Sequence, residues 1–109
     1  MKIGCLCGDI ITDQTDALPW MGHIIPDQEW FPVFDAIDRI IDETKSGLLE
    51  VEAAYMQLRR VLGDASKPVY QCGSCGRIFI FEPRDPANIY KPEFETTSRQ
   101  ILRSSVAPP

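Results

Sequence analysis

Histidine is almost absent from this chain: His23 stands alone among 109 residues. That shortage excludes the His-Glu-x-x-His helix of zinc hydrolases, and no Ser or Cys nucleophile shows a pairing signature with a histidine. A Gly-rich phosphate loop is also missing. A catalytic function therefore has no motif to rest on, and the chain is expected not to be an enzyme. Hydrophobic runs are short. None approaches the roughly 18 residues of a membrane span. The N-terminus carries one lysine and then Cys, Gly and Asp, so it lacks the apolar segment of a signal peptide. The expected location is the cytoplasm. Basic charge is scarce in the first half. Residues 1–53 hold 3 basic and 11 acidic side chains, whereas residues 54–109 hold 8 and 5. The acidic half argues against general nucleic-acid binding, because phosphates need cations. It fits a basic protein partner better.

Against these absences stand four cysteines in two pairs: Cys5 and Cys7 in "CLCGD", Cys72 and Cys75 in "CGSCGR". Each pair ends in Cys-Gly, and each is flanked by residues that read as strands. A turn bearing two cysteines supplies half of a tetrahedral four-thiolate site, and two such turns packed together complete one. The glycines have a job in this scheme. The chain must reverse after the second thiol, and Gly8 and Gly76 stand where a positive φ is easiest. In a reducing compartment, thiolate–metal chemistry is favoured over disulfides. A Cys5–Cys7 bridge would also be strained. Four cysteines fill the coordination shell, so the expected ion is structural Zn²⁺. Iron suits the same four thiolates as a substitute.

The motif at 72–77 resembles the Cys-x-x-Cys-Gly knuckle of zinc-ribbon and rubredoxin-like proteins, and the motif at 5–9 is one residue shorter. The resemblance covers about residues 2–12 and 69–82. It implies a structural metal held by Cys5, Cys7, Cys72 and Cys75.

The remaining patterns predict an α+β fold: a small zinc-ribbon-like antiparallel sheet from two knuckle hairpins, with an antiparallel helical hairpin inserted at about 28–62 and packed on it. Strands are expected at "MKI", "DIIT", "PWMGHII", "PVYQC" and "RIFIFEP", with a short edge strand in "ANIYKPEF". Asp27 is expected to cap a first helix whose stripe is Trp30, Phe34, Ile37 and Ile41. A second helix is expected from Ser46 or Gly47, with the stripe Leu48, Val51, Tyr55, Leu58 and Leu62, closed by Gly63 as a left-handed cap. Trp30 and Phe34 are assigned to the core. Residues 1–95 form the expected single zinc-stabilised domain, and 96–109 a partly disordered tail.

Two surfaces are candidates for function. Asp35, Asp38 and Asp42 follow helical spacing and form one acidic ridge. Asp13 and Asp16 add acid in the N-terminal loop, and Trp20 is a candidate hydrophobic anchor beside them. This set points to protein–protein binding, most concretely by a bacterial inhibitor or immunity protein that neutralises a basic toxin such as a nuclease. The alternative is a nucleic-acid-binding or transcription-related zinc ribbon, reading through Arg77, Phe79 and Phe81.

Overall fold

The computed structural model describes residues 1–84 and 86–106. The chain forms two compact units. Residues 1–23 and those from Pro68 onward make the first, and Ile24–Lys67 the second. The expected disordered end of the tail, at 107–109, lies outside the described residues.

The first unit is built from short strands around the cysteines. β1 (Lys2–Gly4) and β2 (Ile10–Thr12) pair antiparallel, with Ile3 opposite Ile11. β3 (Met21–Ile24), β4 (Lys67–Gln71), β5 (Ile78–Ile80) and β6 (Asn88–Tyr90) form a four-stranded sheet in that order. β4 and β5 run antiparallel with Tyr70 opposite Phe79; β5 and β6 do so with Phe79 opposite Ile89. The two knuckle hairpins thus lie in separate sheets. The core follows from β-strand alternation: Phe79 is buried while its neighbours Ile78 and Ile80 are half-buried. With Phe79 are buried Cys5, Ile11, Tyr70 and Cys72, and Trp20, Met21 and Phe81 pack against them. Tyr70 and Phe81 meet edge to face at 5.6 Å, a favoured aromatic geometry.

The second unit is a helical hairpin: α1 (Asp27–Lys45), α2 (Val51–Ala65) and the linker 46–50. Val33 and Ala36 near the start of α1 share a groove with Val61 and Ala65 near the end of α2. Ile40 and Ile41 share another with Ala54 and Leu58. The helices therefore run antiparallel. The α+β class holds.

Three local expectations need correction. Asp27 is the first helical residue, and Pro26 takes the N-cap position with no side-chain cap bond. The proline has a fixed φ and no amide to satisfy, so it serves as the entry residue. The left-handed glycine between the helices is Gly47, at φ 82°, and it ends α1. The Gly47 amide donates to the Thr44 carbonyl at 3.2 Å and the Leu48 amide to the Glu43 carbonyl at 3.0 Å. This is the Schellman arrangement. Gly63 instead lies inside α2, which continues to Ala65. Finally, Trp30 and Phe34 are 46% and 45% exposed and so lie outside the core, although their rings touch at 5.1 Å. One neighbouring helix covers only part of a wide apolar arc, and here it covers Val33 and Ile40.

Candidate metal centre

The first knuckle turns between β1 and β2, the second between β4 and β5. Despite their different lengths they are closed by matching bonds. The Cys5 amide donates to the carbonyl of Asp9, the residue after Gly8; the Cys72 amide donates to that of Arg77, the residue after Gly76. Both bonds are 2.9 Å long. The Gly8 amide donates back to Cys5 and the Gly76 amide to Cys72, at 3.0 and 2.8 Å. Gly8 and Gly76 have φ of 98° and 82°, as the turn requirement predicts. A Cβ on Gly76 would lie 2.9 Å from Pro92, so this position is closed to larger residues on steric grounds as well.

These turns bring the four sulfurs together. All four lie within 4.8 Å of one another. Two close separations run between the knuckles: Cys5 to Cys75 at 3.5 Å and Cys7 to Cys72 at 3.6 Å. A disulfide requires about 2.05 Å, and all four cysteines are free. A tetrahedral ion with metal–sulfur bonds of about 2.3 Å has sulfur–sulfur edges of about 3.8 Å. The cluster has the size and donor set to hold a metal ion. Cys5 and Cys72 are buried, Cys75 is half-buried and Cys7 is exposed.

The electrostatics suit that role. Burial pushes the Cys5 thiol up to about 12 and raises Cys72 as well. Left alone, these thiols keep their protons. A bound cation replaces the protons and compensates the buried charge. At Cys75 burial also opposes ionisation, but the Arg77 amide and guanidinium outweigh it and lower the thiol to about 6. The Arg77 guanidinium donates to the Cys75 sulfur at 3.2 Å. Backbone amides of Ser74 and Cys75 also favour the Cys72 thiolate.

Several supporting contacts carry no signal in the sequence. Ser74 donates its hydroxyl to Asp9 at 2.6 Å, tying one knuckle to the other. That bond, and then the Ile10 amide, lower the Asp9 carboxyl below its usual range. Gln71 is buried, yet its polar atoms are satisfied: the side-chain amide donates to the Ser98 carbonyl and its oxygen accepts from the Ile101 amide, both at 2.9 Å. Arg99 donates to the Ser74 carbonyl. Residues 98–101 thereby brace the second knuckle. No periodicity marks them, because single hydrogen bonds hold them in place.

The other candidate residues divide between the units. Asp13 is half-buried and accepts the Tyr70 hydroxyl at 2.6 Å. Trp20 is half-buried, and its indole donates to the Thr12 carbonyl at 2.7 Å. Asp16 is exposed. Asp35, Asp38 and Asp42 are exposed on α1 in the second unit.

Fold and site together define a small α+β protein with a four-cysteine cluster able to hold a metal ion. No described helix is long and apolar enough to cross a membrane. The chain belongs to the family described as Domain of unknown function (DUF8617), whose model matches residues 1–94. No curated protein and no solved structure matches it.

Proposed function

We propose that this is a zinc-stabilised binding protein of the cytoplasm, not an enzyme, that acts by gripping another protein. Its most concrete form is an acidic inhibitor or immunity protein that neutralises a basic toxin such as a nuclease. The observation that carries this reading is the ridge of Asp35, Asp38 and Asp42, all three exposed on one long helix. An acidic ridge can cover the basic groove with which a nuclease holds phosphate. Zinc suits the closed set of four thiolates and the knuckle pattern around them, and iron is the substitute that the same donors accept. Its task is structural: the shell leaves no open position for a substrate.

The nucleic-acid reading draws less support. Its aromatic platform needs open faces, but Phe79 is buried in the core and Arg77 is engaged with Cys75. The test is co-expression with basic proteins encoded beside the gene, followed by affinity measurement on any complex. Reversing charge at Asp35, Asp38 and Asp42 together should weaken that complex by about tenfold or more, most strongly at low salt. Unchanged affinity would remove this surface from the proposal.

A further inference from the structure

The helical hairpin carries an apolar face outside the contact between its two helices. On α1, Trp30, Phe34, Ile37 and Ile41 recur at steps of four, three and four; on α2, Val51, Tyr55, Leu58 and Leu62 repeat the same steps. Such spacing marks the seam of a helical bundle. In this hairpin the seam is not where the two helices meet. They meet beside it, through Val33, Ile40 and Ala54, the helical side chains that are buried. Most of the seam stays open: Ile41 is 54% exposed, Val51 52% and Tyr55 55%, while Ile37 and Leu58 are half-buried.

Both stripes fall on one side of the hairpin. On each helix the stripe is rotated from the line of contact by up to a quarter-turn. Because the helices are antiparallel, the two rotations lead to the same face. A groove of about 330 Å³ records this directly, since Ile41 of α1 lines it together with Val51, Tyr55 and Leu58 of α2. A continuous apolar face of this kind on a polar protein marks an interaction site.

We infer that the occupant of this face is a second copy of the chain, and that two hairpins form an antiparallel four-helix bundle about a two-fold axis parallel to the helices. Three observations favour a copy over a foreign partner. The face is self-complementary. Its two stripes have equal length and equal spacing, so the two-fold lays each α1 stripe on the partner's α2 stripe with every neighbouring pair antiparallel. The charges beside the seam are complementary under the same operation. Asp38 flanks the α1 stripe and Arg59 flanks the α2 stripe. Ile40 and Ile41 stand level with Ala54 and Leu58, which places Asp38 within about 3 Å in height of Arg59 on the opposing helix. Neither takes part in the hairpin's ion pair, Arg39–Glu43. The area is also adequate. A face about 22 Å long and 20 Å wide buries on the order of 1,000 Å² over two copies, the lower bound for a specific interface. Asp35 and Asp42 project further from the seam and stay open in the dimer; Asp38 is shared with the toxin-binding reading, and Ile41→Asp, which leaves the acidic ridge intact, tells the two apart.

The test is sedimentation of the full zinc-loaded chain alone, across a dilution series. The expected result is a reversible dimer of twice the 12.3 kDa chain mass. Ile41→Asp, at an exposed position, should yield a monomer with unchanged helical signal and metal content. Asp38→Arg and Arg59→Asp should each weaken the dimer by on the order of fivefold, and the two together should restore it. A monomer at every concentration overturns the inference, whatever other protein the face takes. So does a dimer that Ile41→Asp leaves intact. Charge reversals that fail to rescue each other overturn the α1-over-α2 arrangement.

Discussion

At the scale of single residues, the contacts that matter are polar groups placed against the apolar core. Tyr70 is 2% exposed and gives its only hydroxyl proton to Asp13, 57 positions away. Its ring holds the core while its oxygen anchors the N-terminal loop. Burial, and then the Asp13 carboxylate, raise the phenol from 10.0 to about 12. A raised value means the folded protein keeps this proton longer than the unfolded chain does. The resulting stabilisation is complete below pH 10.0 and disappears as the pH climbs through about 12. Tyr70→Phe should cost about 1–2 kcal/mol at neutral pH and should abolish this alkaline loss. Chemical denaturation of both proteins at several pH values measures both effects. Gln71 makes the same point about buried polar groups. A buried amide is tolerated because both of its ends are bonded.

At the scale of elements, two glycines on the hairpin should respond in opposite directions. Gly47 holds a positive φ at the end of α1, where an L side chain is strained. Gly63 lies in the interior of α2, and a Cβ there would meet nothing within 4 Å. Gly47→Ala should destabilise by about 1 kcal/mol, and Gly63→Ala should stabilise by about 0.5–1 kcal/mol. Thermal melts of the two variants check this pair; the same sign for both would refute the assigned helix ends. The knuckles show a related economy. A Cys-x-Cys and a Cys-x-x-Cys turn reach the same closure because the bond spans from the first cysteine to the residue after the glycine in each. The shorter turn therefore still delivers two sulfurs.

At the scale of the whole molecule, the cysteines join segments that are far apart in sequence. A stretch of 64 residues separates Cys7 from Cys72, and the whole helical hairpin lies within it. Closing so long a loop costs conformational entropy, and the strands flanking the knuckles are short, of three to five residues. A metal ion held by the four sulfurs would offset that cost, since structural metal binding is worth about 10 kcal/mol or more in small domains. Chelation, or Cys72→Ser, should therefore abolish cooperative unfolding of the first unit and deplete bound metal. Circular dichroism with metal analysis measures both. A stripped protein with an unchanged melting temperature would show that the cluster is dispensable.

The order of strands and helices, the antiparallel hairpin and the four clustered cysteines were all legible in the residue pattern. Each rests on local spacing: period two in β5, four-and-three steps in α1 and α2, and the paired Cys-Gly turns. The Asp27 cap, the role of Gly63 and the burial of Trp30 and Phe34 were misread, because each depends on what lies opposite in space. Spacing places Trp30 and Val33 on one broad apolar arc, but it does not say which part of that arc the neighbouring helix covers. The bonds of Ser74 to Asp9 and of Gln71 to residues 98–101 were likewise invisible, since a hydrogen bond between distant residues leaves no period. The sequence by itself determined which chemistry is present and on which elements it rides. Tertiary structure alone decided how near the sulfurs come and that the helices meet beside their apolar seam, because both are properties of distances between segments that the chain order leaves free.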